Sequence, residues 1–161
     1  MSQLEEIKRS IEQMPIDEIA PIVRSAVGDD SAVVEPGWTV EVMSTDSIGQ
    51  GTVGILTIIL DAWVSGRVVR SPFVIKVVER TATAELEDSV LSFTSADREI
   101  KAYEFGFFDS LVGDLKAAPC HGITRSGHLS LLWMQDLSDS VPYPWGADEF
   151  LVSAHDDGVF N

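Results

Sequence analysis

The chain has 161 residues, of which 45% are hydrophobic, and it carries a formal net charge of −15. This length predicts one domain, or one and a fraction, with enough apolar side chains for a core. The acidic field repels nucleic acid and anionic membranes, so neither is an expected partner. The single cysteine, Cys120, excludes an internal disulfide, and the N-terminus lacks a basic-then-apolar signal pattern, so a cytoplasmic protein is expected.

The first 37 residues are predicted to be a helical segment. Residues 3–13 place Leu4, Ile7 and Ile11 at helical spacing, with charged residues between them. A second helix is predicted to begin at Pro15 and to end at Gly28, which suits the left-handed conformation of a helix C-terminus.

Three strands are predicted to follow. Residues 39–45 alternate in polarity, residues 55–64 are β-branched and apolar, and residues 67–78 contain a second long β-branched run. The turn at Ser65 and Gly66 separates the last two strands and predicts a hairpin.

The glycine-rich stretch GQGTVG, residues 49–54, has two possible interpretations. In kinase-like folds such a loop brings backbone N–H groups to ATP phosphates, and a lysine on a following strand adds a positive charge; Lys76 has that position. In dinucleotide-binding folds the same pattern must open a helix. The run after Gly54 predicts a strand instead, which favours the kinase-like interpretation.

The remaining elements complete an α+β fold. A short helix is predicted within residues 82–91. A long helix is predicted over residues 97–112, where Ile100, Tyr103, Phe107 and Leu111 recur at helical spacing. Residues 119–124 and 129–134 are predicted strands of a hairpin, and residues 145–160 a final helix. The expected architecture is a five-stranded antiparallel sheet with one long packed helix, between N-terminal helices and a C-terminal helix.

Three stretches together resemble the aminoglycoside phosphotransferase and choline-kinase-like superfamily, most closely its ecdysteroid-kinase-like branch. They are GQGTVG at residues 49–54, REIKAYEF at residues 98–105 and LLWMQDLS at residues 131–138. The resemblance implies a protein-kinase-like N-terminal lobe at residues 38–136. Residues 137–161 would then be a linker and the start of the second lobe.

The resemblance also implies an ATP site, with Mg²⁺ expected for the complete enzyme. Glu99 would pair with Lys76 and orient it toward the phosphates; from local sequence alone, Glu99 could equally be a surface acid at a helix N-terminus. Residues 133–136 would be the hinge whose backbone recognises adenine, and Val74 would cover the base. The implied site residues are Gly49, Gly51, Thr52, Gly54, Val74, Lys76, Glu99, Met134, Gln135 and Asp136.

No catalytic or metal-binding residue is predicted in this chain. The family motif His-Gly-Asp-x-x-x-x-Asn is not matched, since His121 and Gly122 are followed by Ile123, and Asp157 and Asn161 are one residue too close. The three histidines also lack the paired spacing of a zinc site, and His121 and His128 are expected at the surface or at caps.

The expected function is therefore the ATP-binding small lobe of a hydroxyl-directed phosphotransferase, truncated before the catalytic loop and inactive alone. A non-enzymatic remnant that binds nucleotide or a protein partner is the alternative, and an unrelated α+β binding domain is a third.

The expected partners are a nucleotide and either the missing lobe or a second copy of the chain. If the second lobe is missing, an apolar face with Leu131, Trp133 and Met134 stays uncovered. Such a face predicts self-association, most simply as a two-fold dimer.

Overall fold

The computed structural model describes residues 2–44, 51–79, 97–113 and 116–137, and these form an α+β fold. The helices are α1 (Gln3–Glu12), α2 (Ile16–Val27) and α3 (Asp97–Glu104), with a short 3-10 helix at Phe107–Ser110. The strands are β1 (Val33–Val34), β2 (Val40–Ser44), β3 (Thr52–Val64), β4 (Arg67–Glu79), β5 (Cys120–Ser126) and β6 (Leu129–Gln135).

The two N-terminal helices form where the sequence predicts them. The Ser2 hydroxyl caps α1 by accepting the Glu5 N–H, which satisfies a donor left free at the helix N-terminus. Helix α2 ends at Gly28, whose φ of 69° is the left-handed conformation that glycine adopts without strain. Both helices bury one apolar stripe, formed by Leu4, Ile7, Ile11, Ile19, Ala20, Ile22 and Val23.

All strand pairs of the sheet are antiparallel, in the order β1-β3-β4-β6-β5, with β2 also pairing with β3. Strands β3 and β4 form a hairpin of 13 residues each, and its turn holds Ser65 and Gly66 at φ angles of 50° and 79°. Two successive positive φ angles match the right-handed twist of the hairpin strands. Strand β1 was not predicted, because two residues are too few to show an alternating pattern.

The sheet has two different faces, named here by the helices that pack on them. On the α1/α2 face, both N-terminal helices share one hydrophobic core with β3, β4 and β6. This core includes Leu56, Phe73, Ile75, Leu131 and Trp133. On the opposite face, the α3 face, Ile100 packs with Val78 and Leu132.

The placement of β6 corrects the sequence-based expectation of an uncovered apolar face. Leu131 and Trp133 are 2% and 0% exposed, because α1 and α2 cover their side of the sheet. Only Met134 of the three predicted residues lies on the α3 face, where it is half-buried. Self-association stays a prediction, but Leu131 and Trp133 do not supply the surface for it.

The predicted long helix at residues 97–112 is wrong in its second half. Helix α3 ends at Glu104, and Gly106 adopts a φ of 66°, which is incompatible with a continuing right-handed helix. Phe107 then opens the 3-10 helix and is 59% exposed rather than packed on the sheet. Only Ile100 and Tyr103 of the predicted helical stripe contact the α3-face cluster.

Some predictions lie outside the described residues: the glycine loop up to Gln50, the helix within residues 82–91, and the final helix at residues 145–160. Within the described ranges, no helix is long and apolar enough to cross a membrane.

Candidate functional site

Lys76 and Glu99 form an ion pair between strand β4 and helix α3. Lys76 lies in the middle of the sheet, opposite Ile55 of β3 and Leu132 of β6, and Glu99 lies in the first turn of α3. The two side chains are 23% and 31% exposed, so surrounding protein partly shields the pair from solvent. The predicted contact between Lys76 and Glu99 is therefore confirmed, while its role in binding phosphate stays a prediction.

Ile100 and Tyr103 hold α3 against the sheet beside this pair. Ile100 is 3% exposed and contacts the cluster of Val78 and Leu132. The Tyr103 hydroxyl donates to the Ala118 carbonyl over 2.8 Å. Burial, with further contributions from Cys120 and Glu99, raises the pKa of Tyr103 to about 12, so this phenol stays protonated and remains a donor at neutral pH.

Val74 and Met134 extend the α3 face away from Lys76. Val74 is two residues before Lys76 on β4 and therefore shares its face. Met134 is directly opposite Val74 in the β4–β6 register, and Thr57 is opposite Val74 on β3. The structure thus brings a cation next to a partly exposed, mainly apolar surface. The sequence analysis missed Thr57, although its spacing of two residues from Ile55 in a predicted strand indicates that the two share one face.

The glycine-rich stretch is only partly described, since Gly49 lies outside the described residues. Gly51 has a φ of 82°, and its carbonyl accepts the Glu79 N–H over 2.8 Å. Thr52 begins β3 opposite Val78. Gly51 therefore has a conformation that favours glycine, and its carbonyl ties the start of β3 to the end of β4.

Gly54 has a packing role that the motif interpretation did not anticipate. A Cβ atom at this position would lie 2.8 Å from Leu4 Cδ2, because α1 packs directly over the strand backbone here. A side chain at position 54 would point toward the α1/α2 face, away from Lys76. Close approach of α1 therefore explains the glycine without a nucleotide.

The predicted hinge offers fewer free backbone donors than expected. The Gln135 N–H donates to the Pro119 carbonyl over 2.9 Å, and the Asp136 N–H donates to the Pro72 carbonyl over 3.4 Å. A base that accepted hydrogen bonds from these two groups would compete with bonds already present in the protein.

His121 and Cys120 lie at the start of β5, on the edge of the sheet. His121 contacts the Phe73 ring edge-on at 5.9 Å, and its Nδ1 is 3.3 Å from the Ser25 hydroxyl. Burial lowers the pKa of His121 and raises the pKa of the Cys120 thiol. His128 approaches Glu79 at 3.6 Å on the surface. These contacts link elements of the fold, and among the described residues no three His, Cys, Asp or Glu side chains form a cluster that could hold a metal.

Comparisons with protein families, with curated proteins and with solved structures found no match to this chain.

Proposed function

We propose that this chain is the ATP-binding small lobe of a hydroxyl-directed phosphotransferase. The observation that carries the proposal is the Lys76–Glu99 ion pair on the α3 face. In kinases a lysine on the third strand contacts the nucleotide phosphates, and a glutamate from the following helix orients that lysine. Here β2, β3 and β4 supply the three strands, and α3 supplies the glutamate.

The charge of the chain strengthens the argument for a local cation. A net charge of −15 opposes phosphate binding at long range, so binding must depend on groups that touch the phosphates. The Lys76 ammonium is such a group, because its side chain is 23% exposed and reachable. Val74 and Met134 next to it provide an apolar surface of the kind that covers a nucleotide base.

The described residues fit the nucleotide better than they fit its metal ion. A lysine beside an apolar strand surface suits a phosphorylated planar ligand. Glu99 is engaged by Lys76, and the described ranges contain no cluster of metal-ligating side chains. In the complete enzyme Mg²⁺ would neutralise phosphate charge, and the proposal assigns none of its ligands to the described part of this chain.

Titration calorimetry with Mg-ATP tests the proposal. We expect weak binding, with a dissociation constant in the micromolar to millimolar range, and Lys76→Ala should weaken it by roughly tenfold or more, as for loss of a charged hydrogen bond. Lys8→Ala, which removes the same charge from α1 on the other side of the sheet, is the control and should have little effect. Equal affinities for wild type and Lys76→Ala would refute the proposal, and a sub-micromolar dissociation constant would contradict its expectation of weak binding.

Association through the α3 face is a second candidate function, favoured by large apolar side chains exposed there. Ile59, Trp63 and Val68 are 52%, 46% and 48% exposed, and the β3–β4 register places them on one face. Exposed apolar surface of this kind marks interaction sites. Sedimentation velocity should then show a dimer that Ile59→Lys dissociates. A monomer at all concentrations, in wild type and variant alike, would exclude this association.

A further inference from the structure

Helix α3 is tethered at its C-terminal end as well as at Glu99. Glu104, the last residue of the helix, pairs with Arg125 near the end of β5. These side chains are 34% and 48% exposed. The helix is therefore held at both ends, to β4 through Lys76 and to β5 through Arg125.

Tyr103 provides a third attachment on the same side of the helix as Glu99. Residues four positions apart are neighbours on a helix surface, so Tyr103 lies beside Glu99. Its hydroxyl donates to the Ala118 carbonyl, just before β5. The hydroxyl thus connects the last turn of α3 to the backbone that enters the edge strand.

These tethers are important because α3 has few other anchors among the described residues. The helix has only eight residues, and isolated helices of this length are unstable in water. Among its described side chains only Ile100 is buried. Within the described part of the chain, polar contacts therefore supply much of what fixes the helix on the sheet.

We propose that Tyr103 and Arg125 are positioning residues, which hold α3 where Glu99 remains paired with Lys76. The inference rests on the proposed function for its importance in nucleotide binding, but the positioning itself is independent of any ligand. Loss of either tether should raise the population of molecules in which α3 has moved and the Lys76 ammonium is unpaired.

Chemical labelling of Lys76 reports on this population, because the contact with Glu99 restricts access of a reagent to the Lys76 nitrogen in the paired state. The protein is treated briefly with an acylating reagent, and peptide mapping compares modification of Lys76 with that of Lys8 as an internal reference. Tyr103→Phe keeps the ring and removes the hydrogen bond, and should raise relative Lys76 labelling roughly two- to tenfold. Arg125→Gln should raise it by up to about fivefold, as for an exposed ion pair. Arg125→Lys keeps the charge and should restore part of the protection.

Two controls separate local movement of α3 from general destabilisation. Arg70→Gln removes an exposed ion pair with Asp61 that is not attached to α3. Ile22→Val weakens the core on the α1/α2 face. Neither should change Lys76 labelling under native conditions. The inference is overturned if Tyr103→Phe and Arg125→Gln leave labelling at the wild-type level, or if both controls raise it equally.

Alkylation of Cys120 provides a second readout, because it is the only cysteine and lies half-buried against the cluster under α3. Its modification rate should rise in the same two variants.

Failure of the proposed function can be distinguished from failure of the positioning role, since the labelling experiments contain no nucleotide. If labelling responds as expected while Lys76→Ala does not affect Mg-ATP binding, the positioning role is supported and the nucleotide site is refuted.

Discussion

The contact between Gly54 and α1 predicts how Gly54→Ala changes stability, and the direction of that change depends on Leu4. An alanine Cβ at position 54 would lie 2.8 and 2.9 Å from the two Leu4 methyl carbons, which is closer than real Cβ contacts allow. Leu4 is 6% exposed within the core and cannot retreat into solvent without losing buried area. Overpacking of this kind costs about 1–3 kcal/mol. Alanine is favoured over glycine inside a strand by about 0.5–1 kcal/mol.

The net expectation is that Gly54→Ala lowers the free energy of unfolding by up to about 2.5 kcal/mol in the wild-type background. Leu4→Ala removes the colliding methyl groups and itself costs about 2–5 kcal/mol as a core truncation. In that background Gly54→Ala should become stabilising, by about 0.5–1 kcal/mol.

Urea denaturation of the four proteins in this double-mutant cycle measures the coupling. Effects of alanine on the unfolded chain are the same in both backgrounds and cancel in the coupling energy. If Gly54→Ala has the same effect with and without Leu4, the packing explanation is refuted, and a requirement for glycine at this position must have another cause.

Three further predictions concern a buried hydroxyl, a histidine and activity. Ser130 is 0% exposed and its hydroxyl has no hydrogen-bond partner among the described residues, so Ser130→Ala should be neutral or raise the free energy of unfolding by about 1 kcal/mol. A clear loss of stability would show an unrecognised bond. Burial lowers the pKa of His121 below its unfolded value of 6.5, so the unfolded state binds more protons and stability should fall as pH drops through and below 6.5. His121→Gln should flatten that part of the stability–pH curve, and an unchanged curve would contradict the assignment. The chain should show no Mg-dependent phosphoryl transfer to hydroxylated small molecules, because it contains no His-Gly-Asp-x-x-x-x-Asn motif; ADP production abolished by Lys76→Ala would contradict this.

The strands and N-terminal helices could be predicted because local pattern and packing agree. β3 and β4 are rich in β-branched residues, and α2 carries both its apolar stripe and the glycine that ends it. The Lys76–Glu99 contact could be predicted only from the resemblance carried by residues 98–105, since from local sequence alone Glu99 could equally be a surface acid.

Helix length and the faces of β6 could not be predicted from local sequence. Phe107 and Leu111 continue the helical spacing of Ile100, but the backbone of Gly106 ends that path first. Hydrophobic periodicity reflects the spacing of apolar side chains, so it does not reveal a single residue with positive φ. β6 is apolar on both faces, so alternation does not indicate which side α1 and α2 cover. Only the packing of distant helices decides that Leu131 and Trp133 are core residues and that Met134 is not.

NMR titration with Mg-ATP tests whether nucleotide binds on the α3 face beside Lys76. Chemical-shift changes should be largest for Val74, Lys76 and Met134, and Lys76→Ala should abolish them at the same nucleotide concentration. Val23 and Leu131, which lie in the core on the α1/α2 face, should be unaffected. Changes centred on those core residues, or no changes at millimolar nucleotide, would contradict the claim.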